Sequence, residues 1–329
     1  MSAERPHVSV VLPVYNEEAF LDSCVRSLLD GSYPTELLEV LIADGGSDDG
    51  TVEVATRLAD DLGAIEVMDN PGKLQASGFN VALAAADPQS TYIVRCDAHA
   101  EYPPGFLSRV IEVAERTDAE LVVYSDEVRG KTCFQRGVAF AQSTPVGVGD
   151  SEYRLAGRSM WVDHGKQGCF RRADLDRVGG YDDALVSNED FDLSERIRRA
   201  GGRIWLDEDV VVVYYPRASV RTLARQYWRY GQGRAATSLK HRVTPKPRQL
   251  APIVLVAANS ALLAAAPARP RALAPLGFYL GAMAATAIYG AVTRRDPCVL
   301  TSAAAFPVMH HAWGAGFIGR RLSAHLGGN

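Results

Sequence analysis

The sequence predicts an α/β domain, with a mostly parallel sheet flanked by helices, running into a membrane-bound tail. Three observations carry that expectation. Short apolar runs alternate with stretches of helical periodicity from residue 8 onward. Two of those runs close on an aspartate, Asp44 and Asp97. Charge then nearly vanishes after Arg248: from Gln249 onward the 329-residue chain holds six arginines and one aspartate. Alternating strands and helices build parallel sheets through right-handed crossovers. Ligands of such sheets bind beyond the carboxyl ends of the strands, so Asp44 and Asp97 point to one crevice.

Residues 8–14 (VSVVLPV) form an apolar run read as a buried strand. Asn16 stands where an N-cap belongs, with Glu17 and Glu18 in the first turn. The helix continues through Leu21, Cys24, Val25 and Leu28 at i, i+3, i+4 and i+7. A second strand over 38–43 ends at Asp44, and after the DGGSDDG loop a second helix covers 51–62. A strand at 65–68 leads into the Asn70-Pro71-Gly72 turn, a third helix at 74–86 and a strand at 92–96. Further strands are expected near 120–128, in part of 161–170 and at 210–215. Helices are expected at 135–142, 173–178, 188–200 and 220–241, and a mobile Gly/Ser-rich loop at 147–157.

The net charge is −4; the tail carries +5 of it and leaves −9 on residues 1–248. An acidic front domain argues against a nucleic-acid partner, which needs a basic field. The five cysteines (24, 96, 133, 169 and 298) show no CxxC spacing and an odd count. Neither a zinc knuckle nor a disulfide scaffold is expected from them, and a reducing compartment is. The N-terminal residues show no signal-peptide pattern.

Three uncharged stretches, 249–268, 272–293 and 297–319, each approach the roughly 20 residues that cross a bilayer. They predict a membrane region over 249–329 with about three transmembrane helices; a buried alanine-rich hairpin is the alternative. Lys240, Arg242, Lys246 and Arg248 precede the first stretch and place residues 1–248 on the cytoplasmic side of the inner (plasma) membrane. The helix at 220–241 would then lie at the interface.

Four motifs occur in order: Pro13-Val14-Tyr15-Asn16-Glu17, Asp44 to Thr51, Asp97-Ala98-His99 and Asn188-Glu189-Asp190. Together they resemble the family-2 glycosyltransferases of the GT-A fold, a Rossmann-like mixed sheet flanked by helices, over roughly residues 8–240. WVDHG (161–165), GGYDD (179–183), NED (188–190) and RQYWRYGQGR (225–234) are further similar to the ExoA-type glucosyltransferases of succinoglycan synthesis. The resemblance implies an inverting hexosyltransferase. It would move glucose from UDP-glucose to a lipid-linked saccharide, in exopolysaccharide or cell-envelope glycan synthesis and beside polysaccharide assembly machinery. Transfer to polyprenyl phosphate, or a non-catalytic sugar-nucleotide-binding subunit, are the rivals. Dinucleotide-binding GxGxxG and P-loop motifs are absent.

The resemblance also distributes roles. Pro13, Tyr15, Glu17 and Asp44 would meet the nucleotide; Asp44 as an Asx-turn residue is the plainer alternative. Lys73 is a nucleotide contact or a solvated lysine. Asp97 and His99 replace the usual Asp-x-Asp and would hold a divalent cation. An imidazole ligand favours Mn2+ over Mg2+, and a hydrogen-bonded loop histidine is the alternative for His99. His241 or His164 could complete the metal site. Asp190 would be the general base with Glu189 beside it, unless both merely compensate the helix dipole. Gln226, Arg229 and Tyr230 match a Q-x-x-R-W pattern and share a helix face. Arg229 would clamp the diphosphate, while Trp228 or Tyr230 would stack on the acceptor. Trp161 and His164 would line the acceptor or donor pocket.

Overall fold

A computed structural model describes residues 5–149 and 157–327. The chain divides into two compact units, residues 1–127 with 156–214, and residues 128–155 with 215–329.

The first unit is built on a mixed sheet, nine-stranded among the described residues. β1 (His7–Val14) pairs in parallel with β2 (Leu38–Asp44) on one side and β4 (Ser90–Arg95) on the other; β3 (Ile65–Asp69) continues beyond β2. These four strands run parallel, as expected. β8 (Gly168–Arg171) adds antiparallel on β4 and β6 (Leu121–Val128) antiparallel on β8, so β6 runs in the direction of β4; β9 (Ile204–Tyr214) lies beside β6 and carries β5 (Ala100–Glu101) and β7 (Met160–Val162), both antiparallel to it. After β6 the chain leaves for the second unit and returns to the sheet with β7 and β8.

β1 is buried along almost its whole length, as a parallel strand covered on both faces must be. Val10, Leu12, Val40 and Val94 pack with α1 (Leu21–Leu28), α2 (Thr51–Leu62) and α4 (Phe106–Thr117). Each such fully buried side chain contributes roughly 1.5–3 kcal/mol. α3 (Gln75–Ala85) packs on β1 and β2, and its Phe79 meets Phe170 and Tyr181. α7 (Arg172–Val178) and α8 (Glu189–Arg199) complete the unit.

Asn16 does not cap a helix. It sits at φ +55, and α1 begins only at Leu21. Its side chain is already engaged: Nδ2 donates to Asp48 Oδ1 (2.6 Å) and Oδ1 accepts from the Asp48 N–H (3.0 Å). A side chain used twice across two loops has nothing left for a helix end.

The second unit is helical among its described residues: α5 (Cys133–Gln142), α6 (Pro145–Val148), α9 (Val220–His241), α10 (Pro247–Ala265), α11 (Ala274–Thr293) and α12 (Ser302–His325). Of the loop expected at 147–157, residues 150–156 lie outside the described residues. α9 and α12 touch backbone to backbone. A Cβ on Gly231 would lie 2.0 Å from the Trp313 carbonyl oxygen, and one on Gly316 2.2 Å from that of Trp228. Leu223, Tyr227, Phe140, Phe306 and Met309 form the core of this unit.

Two stretches, Pro247–Ala265 and Pro270–Thr293, are long and apolar enough to cross a membrane, and only 6% of each apolar window is buried. Val254, Phe278, Ile288, Tyr289 and Val292 stand exposed on them. The third stretch expected to span, 297–319, behaves differently. A tight turn at Pro297–Thr301 precedes α12, whose Ala305, Phe306, Met309 and Phe317 are buried. His310 bonds Tyr279 and His311 bonds Asn259, each at 2.9 Å. Small and polar residues here serve contacts between helices rather than lipid.

The cysteines also depart from expectation. Cys133 and Cys298 form a disulfide across 165 residues, while Cys24, Cys96 and Cys169 are free and buried. A pair so far apart leaves no trace in local spacing.

Candidate active site

Between β1 and β4 the strand order reverses, which opens a crevice at their carboxyl ends. Pro13 lies near the end of β1, and Tyr15 and Glu17 follow it; Lys73 and Gln75 come from the turn into α3; Asp97 and His99 follow β4. All seven line one cavity. The turn is held from below: buried Asn70 accepts from Ser77 Oγ (2.7 Å) and donates to the Leu74 carbonyl (2.9 Å). Asp44 does not line this cavity. Its Oδ2 accepts from the Gly46 and Ser47 N–H groups (2.9 and 3.0 Å) and its Oδ1 from Ser47 Oγ (2.6 Å). Both of its oxygens hold its own loop, as in an Asx turn.

Asp97 Oδ1 accepts from Arg95 Nη2 (2.8 Å) and Gln75 Nε2 (3.0 Å), and the Asp97 N–H donates to Tyr102 Oη (2.7 Å). Burial opposes its ionisation, but Arg95, His99 and Lys166 outweigh that and hold the carboxyl below the usual range. Lys166 pairs with Asp126 and lies 5.1 Å from the centre of the Tyr214 ring. His99 Nδ1 lies 2.8 Å from Glu17 Oε1.

Asp190 sits in the first turn of α8, after Asn188 at φ +70. Tyr181 Oη donates to Asp190 Oδ1 (2.8 Å), and Arg95 Nη1 lies 3.8 Å from the same oxygen. Arg95, only 2% exposed, thus joins Asp97 to Asp190. Tyr181 is positioned through its backbone, which exchanges two 2.8 Å bonds with the Asn80 amide. The preceding turn is pinned by Arg196 on the Val178 and Gly179 carbonyls (2.7 and 3.0 Å). Burial first, then the charge of Glu189, raises the Asp190 carboxyl to about 8. Burial likewise raises Glu189.

Other expected site residues are not gathered here. Trp161 pairs with Trp205 on β9, nine residues before Tyr214. Tyr214 is the residue near His99, with ring centroids 6.2 Å apart. At about 3.3 Å per residue, that puts Trp161 roughly 30 Å away along the strand. Arg203 covers its ring at 4.4 Å. His164 lies edge-on to Phe191 (5.5 Å), the neighbour of Asp190. Gln226, Trp228, Arg229, Tyr230 and His241 belong to the second unit, on α9. There Gln226 Nε2 donates to Tyr230 Oη (3.0 Å), Trp228 and Tyr230 are exposed, and His241 is buried.

Arg95, Lys166 and the bond of Tyr181 to Asp190 escaped the sequence reading. Only Arg95 left a signal: a charge inside an apolar strand has to be paired when buried. For a divalent cation, the described residues gather no cluster of three acidic, histidine or cysteine ligands. They do place Asp97 and His99 on one wall, and both side-chain bonds to Asp97 fall on Oδ1. A carboxylate oxygen and an imidazole would suit a divalent cation such as Mn2+ or Mg2+.

The model of Glycosyl transferase family 2 matches residues 9–179. With this crevice on this sheet, the chain belongs to that family and is a glycosyltransferase of GT-A-like fold. It is 38% identical over 309 residues to "Succinoglycan biosynthesis protein ExoA" of Rhizobium meliloti (strain 1021), covering 94% of this chain and 93% of that protein. Among solved structures it resembles the mannosyltransferase PcManGT from Pyrobaculum calidifontis in complex with GDP-Man and Mn2+. That likeness has TM-score 0.63 and 25% identity, over 94% of this chain and 88% of that one. S. aureus TarS 1-349 in complex with UDP shares the fold at TM-score 0.50 and 13% identity, over 96% and 92% of the two chains.

Proposed function

We propose that this glycosyltransferase moves a hexose, glucose from UDP-glucose, onto a lipid-linked saccharide with inversion, in exopolysaccharide or cell-envelope glycan synthesis. The observation that carries this reading is Arg95, which joins Asp97 in the crevice to Asp190 at the head of α8. Asp190 takes the proton of the acceptor hydroxyl as its oxygen attacks the anomeric carbon. The bond to the diphosphate breaks on the opposite face, and the configuration inverts. A raised proton affinity suits Asp190 to that task. Tyr181 and Arg95 hold its Oδ1. Pro13, Tyr15 and Lys73 receive the nucleotide, with Asp44 shaping the adjoining loop. Asp97 and His99 would hold Mn2+ or Mg2+, whose charge would offset that of the departing diphosphate. The relative solved with GDP-Man and Mn2+ supports a nucleotide-sugar donor and such a cation.

The two exposed apolar helices support a membrane setting. The chain is read as a multi-pass protein of the inner membrane with its catalytic unit in the cytoplasm. The test is UDP release from UDP-glucose with lipid-linked acceptors and Mn2+ or Mg2+. Asp190→Asn is expected to lower kcat by about 10²–10⁴-fold while UDP still binds. Intact turnover in that variant sinks the base assignment, and a preference for GDP-mannose sinks the donor.

A further inference from the structure

We infer that Glu17 is the residue that orients His99 for the cation, and not a nucleotide ligand. The inference rests on the cation reading above. Glu17 Oε1 and His99 Nδ1 are 2.8 Å apart, with side chains 16% and 30% exposed. An ionised carboxylate only accepts hydrogen bonds, so the proton between them belongs to Nδ1. In the neutral ring with its proton on Nδ1, Nε2 carries the lone pair that a cation requires.

The backbone of Glu17 is fixed on both sides. Its N–H donates to Thr51 Oγ1 (2.7 Å) at the head of α2, and its carbonyl accepts from the Phe20 and Leu21 N–H groups, both at 2.9 Å, at the head of α1. The carboxylate therefore reaches His99 from an anchored position.

His99 itself creates the need for such a partner. A carboxylate at that position could ligate through either oxygen with no tautomer to choose. An imidazole must present one nitrogen deprotonated and hold its ring in one plane. A carboxylate on the other nitrogen does both and raises the basicity of the ligating one. Tyr214, 6.2 Å away between ring centroids, bounds the ring further.

The experiment uses the full chain in nanodiscs. Mn2+ binding with UDP present is read by electron paramagnetic resonance, with nitrogen couplings from pulsed spectra, and UDP binding without metal by calorimetry. Glu17→Ala is expected to weaken Mn2+ by about 10–100-fold, to lose the sharp imidazole coupling and to leave metal-free UDP affinity unchanged. Glu17→Gln, whose side-chain carbonyl still accepts from Nδ1–H, is expected to recover most of the Mn2+ affinity. Unchanged Mn2+ binding in Glu17→Ala overturns the inference. So does an equal loss of metal-free UDP binding, which would make Glu17 a nucleotide contact. A wild-type chain that binds no Mn2+ with UDP, or binds it without nitrogen coupling, overturns the cation reading first and this inference with it.

Discussion

Asp190 shows what one buried guanidinium arranges. Its carboxyl is pushed up by burial and by Glu189, and Arg95 and Tyr181 only partly offset this. With Asp190 as the proposed base, its protonated form could not accept the hydroxyl proton, so activity is expected to fall as pH drops through the raised value. The pH profile of kcat/KM for UDP release is expected to show its acid limb well above the usual carboxylate range, toward pH 8. Glu189→Gln removes the repelling charge and is expected to move that limb to lower pH. Asp97, His99, Glu189 and Asp190 were legible because each belongs to a short motif at a strand or helix end. Tyr181 and Lys166 were not, since their roles come from Asn80 and Asp126, far away in sequence.

Among the elements, α9 contrasts expectation and outcome. Its periodicity and ends were readable as a helix over 220–241, and its packing was not. Two glycines on different helices meeting each other's carbonyls have no local signature; only the fold makes them neighbours. Gly231→Ala or Gly316→Ala would force a Cβ into a backbone carbonyl with no flexible side chain to yield. Each is expected to cost about 1–3 kcal/mol, read as a lowered unfolding temperature of the membrane-reconstituted chain. Asn16 teaches the converse: it carried a good cap signal, and a distant aspartate took the side chain first. The reversed strand β8 between β4 and β6 was hidden for a similar reason, since the chain leaves the first unit between β6 and β7.

For the molecule as a whole, the boundary read from charge and the division made by packing fall at different places. Charge stops near 248, whereas α9 shares its core with α12 and α5. Cutting the chain after Arg248 would leave Leu223, Tyr227 and Phe140 without Phe306 and Met309. Such a truncation is expected to aggregate or lose α9 protection, measured by size-exclusion recovery and hydrogen exchange against the full chain. The glycine contact between α9 and α12 also bears on depth. On the proposed membrane setting, with α10 and α11 in a bilayer, the grip of α12 on α9 would set the height of Arg229 above the midplane. A bilayer too thick or too thin tilts its helices, and here that tilt would carry Arg229 with it. Acyl-chain length would then act as a lever on the helix that bears the Q-x-x-R motif.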